Sequence, residues 1–359
     1  MEFALSEDQR LLQDTLRGAL ARACPLATVR AADRGEALDE LRATARELGL
    51  PALLVPQEHG GLGMSLLDAA LAAEELGRRC VPVPYLGSAV LATIALKEGA
   101  STAQQQTWLP RLAAGDAVLG AALTEQLSGA RDGAGVEAAG GRLSGSALVV
   151  VDGAQADAWL VATADCALHL VDRDAPGVTC EPLPMIDATR PCVQLRFDGT
   201  PAQRLPASGR ALRERLRDAA SVILAADALG AGWTMIEQAV AYSRERRQFG
   251  RAIGSFQAVK HLCAEMAAEL ETKRALVWYA AHAFDEKLEQ SSLYAAHAKA
   301  QLTEAAQFVA RTAIEVHGGM GITDELGLHF WFKRIGFDRQ LYGGPQQARR
   351  HAAALQELA

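Results

Sequence analysis

The stretch ALRERLRDAASVILAADALGAGWTMIEQAVAYSRERR, residues 211–247, constrains this chain more than any other segment. Its apolar residues recur at helical spacing from end to end, so it predicts one long helix with Gly230 and Gly232 inside it. Two further long helical patterns follow, GSFQAVKHLCAEMAAELETKRALVWYAAHAFDEK (254–287) and SSLYAAHAKAQLTEAAQFVARTAIEVHGG (291–319). Helices of this length joined by short loops pack best as an up-and-down bundle, and a four-helix bundle is expected over residues 208–359.

The residues before the bundle carry two other patterns. From 119 to 207 the period shortens to that of strands, in RLSGSALVVV (142–151), AWLVAT (158–163), ALHLVD (167–172) and VQLRF (193–197). Turn-rich pieces such as DGAQAD, DRDAPG and DGTPAQ separate them, which predicts a small antiparallel β domain. Residues 1–118 read as a helical domain. Ser6 is a candidate N-cap before Glu7 and Asp8, LDELRATARELGL (38–50) stops at Gly49, and SLLDAALAAEELGRR (65–79) is amphipathic. The expected fold is therefore α+β: N-terminal helical bundle, middle antiparallel β domain, C-terminal four-helix bundle.

Bulk properties narrow the function. A chain of 359 residues suggests two or three packed units, and half of it is apolar. No apolar run reaches the roughly 18 residues of a membrane span, and MEFALSEDQRLLQD lacks the pattern of a signal peptide. A cytoplasmic protein without membrane association is expected. The net charge of −7 gives no general attraction for nucleic acid. Six scattered cysteines and eight histidines show no ligand-like spacing, so no metal is expected. Basic residues do cluster at Arg244, Arg246, Arg247 and Arg251, either as a solvated helix end or as a phosphate-receiving group.

Four local motifs occur in order along the chain: VPQEHGGLGMS (55–65), LTEQLSGARD (123–132), SRERRQFGRAIGSFQAVKHLCAEM (243–266) and EVHGGMGIT (315–323). With the helical–β–helical order, they resemble the acyl-CoA dehydrogenase family over essentially the whole chain. The resemblance implies an FAD-dependent oxidation that forms the α,β double bond of an acyl-CoA thioester. In that family a carboxylate removes the α-proton and the β-hydrogen leaves as hydride to the flavin. A carbon acid of this kind requires both a base and hydrogen bonds at the thioester oxygen.

The resemblance assigns FAD contacts residue by residue. Arg246 falls where a guanidinium meets the pyrophosphate across a subunit interface, with Gln248 and Phe249 beside it. Gln257 takes a polar contact at the start of the next helix. Gly318 and Gly319 let backbone approach the adenosine half, and Glu315 stands where many relatives carry Gln. Thr124 fits a threonine at the isoalloxazine edge. Each of these also has a plain structural reading: a helix-end Arg, a surface Gln, a C-cap glycine, a strand-end Thr. Other positions depart from the family. Ala130 replaces a substrate-holding serine, and Val149-Val150-Val151 replace a Trp-Ile-Thr that faces the flavin.

The departures extend to the base. The two positions that supply the catalytic glutamate in different branches map onto Gly343, beside Tyr342, and onto Ala220, ten residues before Gly230. Neither is acidic. Asp227, two turns beyond Ala220 on the same helical face, is either a displaced base or a carboxylate paired with an arginine. The pattern resembles the base-free subunit of bacterial α2β2 dehydrogenases of the steroid side-chain type, in which a related subunit carries the base and binds most of the acyl-CoA. That resemblance implies a heterotetramer and an electron-transferring flavoprotein as acceptor. Two alternatives stand beside it: a self-sufficient homotetramer using Asp227, and a non-enzymatic scaffold of the same fold.

Overall fold

The computed structural model describes residues 4–129 and 132–358. Six α-helices among the described residues build the N-terminal part: α1 (Glu7–Ala23), α2 (Leu26–Asp33), α3 (Asp39–Glu47), α4 (Leu66–Arg78), α5 (Thr93–Gly99), which continues a π-helical segment over Tyr85–Ala92, and α6 (Thr102–Ala113). Serines open three of them. Ser6 accepts from the Gln9 N–H while the Gln9 side chain accepts from the Ser6 N–H, and Ser65 with Asp68 and Ser101 with Gln104 repeat the arrangement. Each pair satisfies two donors that a helix start leaves open. Helix α3 ends just before Gly49, whose φ of 70° lets the chain turn away.

The middle part is one sheet built from β1 (Leu119–Ala122), β2 (Gly135–Ala139), β3 (Arg142–Val151), β4 (Ala158–Ala162), β5 (Leu168–Asp172), β6 (Val178–Leu183), β7 (Cys192–Pro201) and β8 (Gln203–Arg204). The short helix α7 (Thr124–Ser128) follows β1. The strand order is β6-β7-β3-β1-β4-β5-β8, with β2 added on β3. The sheet is mixed and not purely antiparallel as expected: β1 runs parallel to β4, from Leu119 opposite Ala158 to Ala122 opposite Val161. The reason is topological. The tight connection at 152–157 makes β3 and β4 run in opposite directions, and β1 lies between them, so it must be parallel to one of the two. Alternation on β4 divides the sheet's contacts: Ala158, Leu160 and Ala162 join the main core with the helices, while Trp159 and Val161 join a smaller core on the other face.

After the sheet, α8 (Arg210–Glu245) runs unbroken through the centre of the C-terminal part. By length and composition it could cross a membrane, but 83% of its most apolar window is buried within the fold. A hairpin of β9 (Arg247–Gln248) and β10 (Arg251–Ala252) leads to α9 (Gln257–Glu271), α10 (Arg274–Asp285), α11 (Ser291–His317), α12 (Leu328–Gln340) and α13 (Pro345–Leu355). The helix expected over 254–287 is therefore two, interrupted at Thr272–Lys273, where Arg274 turns inward to donate to buried Glu74 at 2.5 Å.

The two glycines of a single helix crossing explain why α8 carries Gly230. A Cβ there would lie 1.8 Å from the Glu74 carbonyl oxygen, and one at Gly77 would lie 2.0 Å from that of Asp227. Helices α4 and α8 thus touch backbone to backbone, which only glycine permits. This contact locks the N-terminal helices to the central helix and fixes where Ala220 and Asp227 face.

Candidate active site and cofactor surface

The final loop, Leu341 to Gly344, ends α12 and leads into α13, whose first residue is Pro345. Tyr342 (φ 55°) and Gly343 (φ 103°) both adopt left-handed backbone. A Cβ on Gly343 would sit 2.9 Å from Gln347 Oε1, and the Gln347 amide is itself anchored by donating to the Ser128 carbonyl at 3.0 Å. This loop is shaped for glycine and filled by Gln347. Ala220 is fully buried in α8. Neither position expected to hold a base presents an acid.

Asp227 is the carboxylate of an ion cluster buried between α8, α12 and the loop before β7. It is 1% exposed. Arg334 donates to it twice, Nε to Oδ1 and Nη2 to Oδ2, both at 2.8 Å, and Arg190 Nη2 donates to Oδ2 at 2.6 Å. Burial alone would raise its pKa, but the charges of Arg334 and Arg190 overcome that and hold it down at about 2. A carboxylate kept ionised by two guanidinium groups is a weak proton acceptor with no free face. Of the two readings open in the sequence, the structure shows the paired acid.

The cluster continues through residues that the sequence did not single out. Arg334 Nη1 donates to the Thr189 hydroxyl at 3.0 Å, and that hydroxyl donates to Asp187 at 2.6 Å. Asp338 lies 3.7 Å from Arg190 and is pushed well up, by burial first and by the Asp227 charge second. Lys299 donates to the backbone carbonyls of Asp338 and Leu341, and burial lowers its pKa to about 7. A charge inside an apolar helix is the signal that marked Asp227, and Arg334 and Asp338, four residues apart in HFWFKRIGFDR, carry the same one.

Thr124 is buried, and its hydroxyl donates to the Val149 carbonyl at 2.6 Å. Both residues border an apolar cavity of about 500 Å³ between the sheet and α12, to which Met185, Asp187, Phe332 and Phe337 also contribute. Asp187 is the one acid on that wall; its Oδ1 takes the Thr189 N–H and hydroxyl, and its Oδ2 has no hydrogen-bond partner. Ala130 lies outside the described residues.

The remaining cofactor candidates gather elsewhere, at one end of the C-terminal bundle. Tyr242 near the end of α8 stacks on His317 at the end of α11, with ring centroids 4.6 Å apart, and so joins the two ends. From there the β9–β10 hairpin projects Arg246, Gln248 and Phe249 into solvent, followed by exposed Gln257 at the start of α9. Phe249 is 92% exposed and meets Phe256 edge to face; the Arg251 guanidinium also stacks on the Phe256 ring. Gln248 reaches back to the Arg247 carbonyl at 2.8 Å. Glu315, Gly318 and Gly319 are exposed beside them; Gly318 has φ 59°, and a Cβ on either glycine would meet nothing within 4 Å. The structure thus separates Thr124 from the other candidates. None of them borders the cavity that Thr124 lines.

Known proteins agree with this architecture. Profiles for the N-terminal and C-terminal domains of acyl-CoA dehydrogenases match residues 6–116 and 213–356. The acyl-CoA dehydrogenase IpdE2 of Mycobacterium tuberculosis is 33% identical over 96% of this chain and 96% of its own length. The chain belongs to the acyl-CoA dehydrogenase family. Among solved structures, the ChsE4–ChsE5 complex of M. tuberculosis superposes with a TM-score of 0.91, at 27% identity and full coverage of both chains. A variant of the Tcur3481–Tcur3483 steroid acyl-CoA dehydrogenase gives 0.88 at 28% identity, covering 98% of each chain. As a member of this family the chain is placed among the oxidoreductases.

Proposed function

We propose that this chain is the base-free subunit of a cytoplasmic, heterotetrameric, FAD-dependent acyl-CoA dehydrogenase. The observation that carries the reading is the loss of acid at both base positions, with Gly343 in a left-handed conformation that favours glycine and Asp227 held between two arginines. A related subunit then supplies the glutamate and most of the acyl-CoA site. The names of the similar ChsE4–ChsE5 and Tcur3481–Tcur3483 proteins, each a pair, and the steroid description of the latter support a paired subunit and a bulky, steroid-derived acyl group.

The exposed hairpin fits the cofactor's diphosphate end. Arg246 has no acidic partner among the described residues, and a guanidinium matches two phosphate oxygens with parallel hydrogen bonds. Phe249 offers a bare ring to a molecule outside this chain, and Gly318 and Gly319 leave room for backbone contact with the adenosine half. When bound, FAD supplies the hydride acceptor that no side chain can provide. This chain's own part is to position the cofactor; an electron-transferring flavoprotein is the expected acceptor. The complex co-expressed with its related subunit should contain flavin, and Phe249→Ala or Arg246→Ala in this chain should release it while both subunits still co-purify. Full flavin retention in both variants would refute the assignment.

One observation favours a second reading, a self-sufficient dehydrogenase. Asp187, a lining residue of the cavity beside Thr124, carries a buried carboxylate oxygen without a hydrogen-bond partner. Dehydrogenation by the lone chain, abolished by Asp187→Asn, would establish it.

A further inference from the structure

The two sides of the proposed cofactor surface are held in place differently. Gln248 belongs to a hairpin closed by its own backbone pairing, with Arg246 leading into it and Phe249 at its tip. Gly318 and Gly319 instead open the segment 318–327 that joins α11 to α12, and a Cβ on either would meet nothing within 4 Å among the described residues. The first turn of that segment, Gly318–Ile322, folds tightly back on α11: a Cβ on Gly321 would lie 2.7 Å from the Ile314 carbonyl oxygen. The later part, before α12, is anchored from the N-terminal helices.

That anchor is α2. Buried Val29 seats the helix in the core, and the next residue, Arg30, reaches across to the turn before α12. Arg30 Nη2 donates to the backbone carbonyls of Asp324, 294 positions away, and of Glu325, the latter at 3.0 Å. Its Nε lies 3.6 Å from the Asp324 carboxylate. Leu26, one turn earlier on the same face of α2, covers Gly327, which has φ 67° and where a Cβ would lie 2.6 Å from Leu26 Cδ1. One helical face therefore grips the turn twice. Because Arg30 holds carbonyls, it fixes the path of the backbone, and its donors stay charged at any working pH.

We propose that Arg30 is a positioning residue for the cofactor. By holding Asp324 and Glu325 it sets where Gly318 and Gly319 stand for the adenosine half of FAD. The proposal rests on the cofactor surface described under the proposed function, and Arg30 acts through the segment without touching the cofactor. Without it the segment samples other paths, and apparent affinity for FAD falls with the fraction of time spent in the binding-competent one. The reacting end of the flavin is unaffected.

The test uses the complex with the related subunit, stripped of flavin and titrated with FAD. Arg30→Ala should weaken binding about tenfold, the loss expected for a charged hydrogen bond. It should also speed hydrogen exchange of the 318–327 amides while leaving turnover per bound flavin unchanged at saturating FAD. Arg30→Lys, which keeps a charged donor, should recover part of the affinity. Arg34→Ala, which breaks an exposed ion pair with Glu36 at the end of the same helix, should bind FAD as wild type does. A merely structural Arg30 would lower the melting temperature of the stripped complex and leave the FAD titration as in wild type, which would overturn the proposal. Arg246→Ala, run in parallel, separates the two readings. FAD lost by Arg246→Ala but held by Arg30→Ala contradicts the positioning role alone; FAD held at wild-type strength by both contradicts the surface on which that role rests.

Discussion

At the scale of single residues, the fate of Asp227 is decided by partners that lie far along the chain. Arg190 is 37 positions away and Arg334 is 107. The sequence exposed the oddity of an acid among VILAADALG but could not identify those partners, because register along a helix says nothing of which distant loop packs on it. Asp227→Asn should destabilise the fold by about 3–5 kcal/mol, the usual cost of leaving buried charges unmatched, read in denaturant unfolding. A base displaced from Ala220 would behave differently, losing activity with little change in stability. Lys299 makes a prediction of opposite character. Its folded pKa of about 7 lies below the ordinary 10.5, so between those values the unfolded chain binds more protons and stability rises with pH. The stability difference between wild type and Lys299→Met should therefore grow in favour of wild type from pH 7 to pH 10. A difference that is flat across this window would show that Lys299 is not held neutral.

At the scale of elements, helices were more legible than strands. The serine caps of α1, α4 and α6 and the unbroken apolar period of α8 are local signals, and Ser6 and the 211–247 stretch appear in the structure close to where the pattern put them. The four expected strand segments are present, but the parallel pairing of β1 with β4 is not a local property. It follows from which strand enters between two others, and no periodicity records that. The break between α9 and α10 was equally invisible, since it serves a contact between Arg274 and Glu74, 200 positions apart. Gly230 was noted without a reason; the α4–α8 crossing supplies one. Gly230→Ala should force the helices apart and cost about 1–3 kcal/mol or more, as overpacking does, whereas Gly232→Ala, whose close contact is the end of the Leu270 side chain, should cost less. Thermal unfolding of the two variants side by side checks the order.

At the scale of the whole molecule, the chain keeps the family's architecture, and the proposed function divides its chemistry with a second subunit. The exposed hairpin and the Gly318–Gly319 end form one surface, and the cavity beside Thr124 lies apart from it. This separation agrees with the proposal that the cofactor site is completed across a subunit interface. The sequence made the missing acid readable, through Gly343 and Ala220, because a motif position needs no tertiary context. It could not show that the backbone at Gly343, with φ 103°, disfavours any side chain there. The most direct measurement is dye-linked dehydrogenation of a steroid-derived acyl-CoA by this chain alone, by its Gly343→Glu variant, and by the chain co-expressed with a related subunit carrying the glutamate. The account predicts turnover only in the co-expressed complex, with the lone chain and its Gly343→Glu variant both inactive. Turnover by the lone wild-type chain would contradict it.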